Sequence, residues 1–86
     1  MKHYTYIVRC ADQTLYTGYT TDITRRLHEH NHLTKGAKYT KTRRPVTLVY
    51  EEVFSTKSEA CKREAAIKKL SRLKKLELIK KSKDTT

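Results

Sequence analysis

Apolar positions along the chain follow two rhythms, a period of two near the N-terminus and around residue 50, and a period of three to four elsewhere. His3 to Cys10 (HYTYIVRC) and Thr14 to Thr20 (TLYTGYT) are rich in β-branched and aromatic residues, which suit a pleated surface. Ala11-Asp12-Gln13 between them is short enough to close a hairpin. Alternation places Tyr4, Tyr6 and Val8 on one face of the first strand and Tyr16 with Gly18 on one face of the second, so the pattern predicts a tyrosine-lined hairpin. Asp22 is the expected N-cap of a helix reaching about Asn31, with Ile23 and Leu27 at i, i+4 as its inward stripe. Residues 32–44 (HLTKGAKYTKTRR) lack apolar periodicity and read as an exposed loop ending at Pro45; Val46 to Phe54 then reads as a third strand. Thr56 with Glu59 forms a capping-box pattern opening a helix of about 13 residues, and Ser71 caps a last helix carrying Leu73, Leu76 and Ile79. The expected organisation is a folded domain over 1–79 and a basic, disordered tail over 80–86.

Length and charge narrow this picture. With 86 residues there is room for one domain and a small core, which excludes a second catalytic domain. No apolar run approaches the roughly 20 residues of a membrane helix, and Met1-Lys2-His3-Tyr4 leads directly into a strand pattern, so a cytoplasmic location is expected. Cys10 and Cys61 both fall within apolar patterns and read as buried thiols. The net charge of +11 points to a polyanionic partner. Nucleic acid is favoured over a membrane because the basic stretches lack a bulky apolar opposite face. Lys35, Lys38, Lys41, Arg43 and Arg44 of the loop are the expected phosphate contacts.

Chemistry is signalled where polar residues interrupt an apolar stripe. His30 lies at i+7 from Ile23, with Arg26 one turn before it. Glu64 lies between Ala60 and Ile67 on the inward stripe of an otherwise lysine-rich helix. An inward carboxylate needs a partner. An ion pair between Glu64 and Arg26 is one solution; a divalent cation on Glu64, with Arg26 clamping a phosphate and His30 donating nearby, is the other. Each tyrosine, taken singly, is explained by sheet packing. The run His28-Glu29-His30-Asn31-His32 invites a zinc site, but histidines two apart point to different sides of a helix and no Cys-x-x-Cys accompanies them.

Taken together, Tyr4-Thr5-Tyr6 and Tyr16-Thr17-Gly18 nine residues apart, Arg25-Arg26-Leu27 with His30-Asn31, and Arg63-Glu64 resemble the GIY-YIG nuclease superfamily, in particular its small single-domain bacterial branch. The resemblance extends to about Leu78. It departs at Tyr4, which stands in place of the name-giving glycine, and at Tyr19, where some relatives carry lysine. It implies an α+β fold, a three-stranded antiparallel sheet flanked by about three helices. It also implies a monomeric endonuclease that hydrolyses phosphodiesters with one Mg²⁺ or Mn²⁺ on Glu64 and has Tyr6, Tyr16, Arg26, His30 and Glu64 as catalytic residues; DNA ranks ahead of RNA as its partner, with both left open. In that scheme Tyr6, with Tyr16 beside it, orients or deprotonates water, provided that cations lower its pKa. Two other readings fit the charge: a module of the same fold that binds nucleic acid without turnover, and a subunit docking on an acidic protein.

Overall fold

The computed structural model describes residues 1–32 and 43–84. Lys35, Lys38 and Lys41 lie outside the described residues. Three strands, β1 (His3–Arg9), β2 (Leu15–Thr20) and β3 (Thr47–Phe54), form one antiparallel sheet in the order β2-β1-β3. The described helices are α1 (Ile23–His32), α2 (Lys57–Lys68) and α3 (Arg72–Asp84). This is the fold that the sequence pattern and the resemblance imply. No helix among the described residues is long and apolar enough to cross a membrane.

Period-two alternation divides the sheet into two faces. Tyr6 stands opposite Gly18 and Val8 opposite Tyr16. On their side Ile23 and Leu27 of α1 pack over Tyr6 and Val8, with Cys10, Val46 and Leu48 completing the cluster. The other face presents Ile7, which meets Ile67 of α2 and Ile79 of α3. Ile7 and Ile67 are fully buried, and each such side chain contributes about 1.5–3 kcal/mol of burial. The β1–β3 register slips between Ile7 and Val8, where Ile7 faces Tyr50 but Val8 faces Leu48. Val49 is the extra residue of this bulge. The slip lets Leu48 join the α1 core while Val49 and Tyr50 join the other. The Thr5 hydroxyl donates to the Ala60 carbonyl at 2.6 Å, fastening β1 to α2 where the small Ala60 allows close approach.

Local chemistry sets the ends of the elements. Asp22 Oδ1 accepts from the Arg25 N–H at 3.0 Å, Thr56 Oγ1 from Glu59 at 3.2 Å, and Ser71 Oγ from Lys74 at 3.2 Å. Each satisfies an orphan donor of a helix's first turn. The β1–β2 connection is a three-residue turn closed by Gln13 N–H to Cys10 O (2.9 Å) and Cys10 N–H to Thr14 O (2.8 Å). Gln13 takes φ 71°, the left-handed position of such turns. Asp12 accepts from the Thr14 hydroxyl and N–H, which hold its carboxyl below the usual range, and pairs with Arg43 at 3.0 Å.

Two expectations are corrected in the last helix. Leu73 is 72% exposed and Leu76 39% exposed, whereas Ile79 is buried and Leu78 packs beside it. Steps of three residues rotate about 60° backward per step at 3.6 residues per turn, so Leu73 and Ile79 cannot share a face. The helix also continues to Asp84, across the residues expected to form a disordered tail.

Candidate active site

The tyrosines of the hairpin converge with α1 on one cluster. Tyr6, 2% exposed, brings its Oη to 2.8 Å from His30 Nε2, and His30 is fully buried. The Tyr16 ring meets the same imidazole edge-on, with centroids 5.4 Å apart. Gly18 makes this possible, because a Cβ at that position would stand 2.5 Å from Tyr6 Oη. Arg26 hydrogen-bonds to the Tyr6 phenol and, through Nη1 at 2.9 Å, to Glu29. Arg25 holds the other Glu29 oxygen at 3.2 Å. The hydrogen bonds from Arg26 and Arg25 keep the Glu29 carboxyl below its usual range.

Glu64 does not pair with Arg26. Its carboxylate lies 3.2 Å from Lys68 Nζ, one turn on along α2, and remains partly open to solvent. It is still near enough to Tyr6 for its charge to act on the phenol. Arg63, its neighbour in sequence, turns instead to Glu52 at 3.1 Å, and Glu52 also accepts from the Tyr50 hydroxyl.

Burial dominates the acid–base character of the cluster. It raises the Tyr6 pKa to about 12, against the lowering effect of Arg26 and with help from Tyr16 and Glu64. Arg26 alone does not offset burial, and the phenol keeps its proton at neutral pH. Burial also lowers the His30 pKa to about 4, assisted by Arg26 and Arg44. His30 is thus a neutral ring.

The structure brings Tyr6, Tyr16, Arg26 and His30 into contact, with Glu64 within electrostatic reach. Of the expected phosphate-binding cations, Arg43 lies against Asp12, and Arg44 donates to the carbonyls of His30 and Glu29 (3.3 Å for the latter), capping the C-terminus of α1. Sequence reasoning misses two residues of this region. Glu29 is signalled by its i+3 and i+4 spacing to Arg26 and Arg25, an ordinary helix-pair pattern. Asn31 binds both backbone groups of Val46, with Oδ1 accepting at 2.7 Å and Nδ2 donating at 3.1 Å. No spacing rule marks such a long-range clamp. The His28 and His32 rings lie 4.8 Å apart on the outer side of α1.

A tyrosine hairpin on a three-stranded antiparallel sheet, backed by a helix arginine and histidine and approached by a glutamate from α2, is the α+β arrangement that the resemblance implies. The GIY-YIG catalytic domain model matches residues 2–77, and the chain belongs to that family. Within it, the chain is similar to UPF0213 proteins. It is 63% identical to one from Staphylococcus haemolyticus over 78 residues, which cover 91% of this chain and 94% of the relative. A Staphylococcus saprophyticus protein of the same description is 64% identical with the same coverage. Among solved structures, the solution NMR structure of a UPF0213 protein from Bacillus halodurans aligns with a TM-score of 0.60 at 49% identity, over 93% of this chain and 84% of that one. An E. faecalis protein, also solved by NMR, aligns with a TM-score of 0.65 at 48% identity, over 94% and 85%.

Proposed function

We propose that the protein is a divalent-metal-dependent endonuclease that hydrolyses phosphodiester bonds, with DNA as its substrate. The observation that supports this most is the convergence of Tyr6, Tyr16, Arg26 and His30, drawn from two strands and a helix, beside the Glu64 carboxylate. Sheet packing explains each tyrosine alone; it does not explain why a neutral imidazole, a guanidinium and a carboxylate gather around one phenol. Phosphodiester cleavage needs a positioned water, charge neutralisation on the phosphate and a route for a proton.

Arg26 supplies the neutralisation, since its guanidinium matches phosphate oxygens in fork geometry. Tyr6 Oη orients the water. Because its pKa is near 12, it works as a relay: as it takes a proton from water it passes its own to His30 Nε2, which is neutral and 2.8 Å away. Tyr16 buttresses the imidazole edge-on. Glu64 fits a hard cation: it is an oxygen donor, partly open to solvent, and a single carboxylate suits an ion that keeps most of its water ligands. Such an ion, Mg²⁺ or Mn²⁺, supplies Lewis-acid polarisation of the phosphate when bound.

Two observations favour the rival, a binding module without turnover: Glu64 is paired with Lys68, and Tyr6 is strongly protonated. Incubation with branched, single-stranded and duplex DNA and RNA, in Mg²⁺, Mn²⁺ or chelator, decides between them. Cleavage that needs the metal and disappears in Arg26→Gln supports the nuclease. Binding that persists in chelator without cleavage under any condition sinks it.

A further inference from the structure

Positive charge is unevenly distributed along the chain. Residues 57–84 hold eleven Lys and Arg against four Asp and Glu, so +7 of the net +11 belongs to α2, α3 and the turn between them. Near the candidate active site the cations are engaged: Arg25 and Arg26 hold Glu29, Arg43 holds Asp12, and Arg44 caps α1. On α3 the situation differs. Arg72, Lys74 and Lys75 form no ion pair with any residue whose side chain is described.

Two of these cations are held in a defined place. Arg72 and Lys75, three residues apart on one side of α3, line an open cleft of about 220 Å³ with Thr14 and Leu15. Lys75 is half-buried, whereas Arg72 is exposed. The cleft opens at the hairpin end of the edge strand β2. Further along that strand Gly18 lies beneath Tyr6. Leu15 packs with Ile7, Ile67 and Ile79, so the cleft lies on the sheet face opposite Tyr6 and Arg26.

We propose that the Arg72–Lys75 cleft binds a backbone phosphate of the nucleic acid, holding it at the β2 edge from the sheet face opposite Arg26. This rests on the proposed nucleic-acid function and adds a second anchoring point to it. Engagement of the loop arginines 43 and 44 elsewhere makes α3 the better source of phosphate contacts among the described residues. An acidic polypeptide is the competing occupant.

The test is fluorescence anisotropy with a short labelled DNA duplex in chelator buffer, across a salt series. The proteins are wild type, Arg72→Gln with Lys75→Gln, and the charge-conserving swap Arg72→Lys with Lys75→Arg. The neutralised variant is expected to lose about 0.9 from the slope of log affinity against log salt, the amount for one phosphate charge that the protein no longer neutralises. The swap retains the slope and the wild-type circular dichroism, which separates charge from folding. An unchanged slope in the neutralised variant overturns the proposal. So does a neutralised variant that loses affinity for polyglutamate but not for the duplex. If the slope drops as expected and the wild type never cleaves in Mg²⁺, the nuclease reading fails while the cleft stands. Wild-type binding that ignores salt removes both.

Discussion

Gly18→Ala puts one methyl group where the candidate active site has no room for it. A Cβ at residue 18 would lie 2.5 Å from Tyr6 Oη, 2.6 Å from Cζ and 3.0 Å from Cε2. Carbon contacts settle at about 3.5–4.0 Å, so the ring must retreat by roughly 1 Å. Tyr6 is buried against Val8, Ile23 and Leu27 and bonded to a buried His30, which leaves little space for that retreat. Overpacking costs about 1–3 kcal/mol, and leaving His30 unsatisfied adds about 1–3 kcal/mol when the bond breaks completely. Gly18 has no positive φ, so alanine returns about 0.5–1 kcal/mol of strand entropy. With that bond broken the net loss is about 1–5 kcal/mol, which lowers the melting temperature by about 4–8 °C per kcal/mol in a domain of this size. Circular dichroism melts and urea titrations measure it. Tyr6→Phe in the same background removes the Oη contact but keeps the Cζ contact, so only part of the stability returns. If Gly18→Ala melts at or above the wild-type temperature, the packing argument for this glycine is wrong. Where cleavage is measured, a displacement near 1 Å also costs about 10²-fold.

Three further outcomes follow from the same geometry. Glu64→Gln removes a half-exposed ion pair worth about 0–1 kcal/mol, so its melting point should stay within a few degrees while metal-dependent cleavage disappears; a large destabilisation with cleavage intact would make Glu64 structural. His30 has a folded pKa of about 4 against 6.5 when unfolded, so the unfolded chain binds more protons between those values, and stability, complete above pH 6.5, declines as pH falls toward 4. Urea midpoints at about pH 7 and about pH 4.5 measure this, and a His30→Gln variant with the same pH slope in that window would refute it. Asn31→Ala strips both backbone partners from buried Val46 and should cost about 1–3 kcal/mol, seen as a lower urea midpoint at constant m-value; an unchanged midpoint would show the clamp to be dispensable.

Much of the architecture was legible because it is written in local chemistry. Asp22, Thr56 and Ser71 each cap the helix that their sequence context assigns to them, and the Tyr6/Gly18 face follows from alternation. Leu73 and Leu76 misled because a short, highly charged helix needs only Leu78 and Ile79 to dock, and identity alone does not reveal which leucines those are. At the site, residue types and their gathering were legible while pairings were not. Arg26 had two carboxylates within plausible reach, and the one on its own helix won because an i, i+3 pair needs no long-range fit. The direction of the Tyr6 shift depends on how deeply the ring is buried and how far Arg26 extends toward it, both consequences of packing between β1 and α1.

The sheet order β2-β1-β3 has a consequence for how the chain comes into being. β1 is the middle strand, yet it is made first: its pairing with β2 joins residues close in sequence, whereas Arg9 meets Thr47 and His3 meets Phe54. During synthesis the early hairpin therefore waits with one row of backbone N–H and C=O groups unpaired until β3 emerges. At about 5–20 residues per second this interval lasts a few seconds. That open edge faces whatever chain lies nearby, so crowding between nascent copies, rather than instability of the finished domain, is the hazard this topology carries.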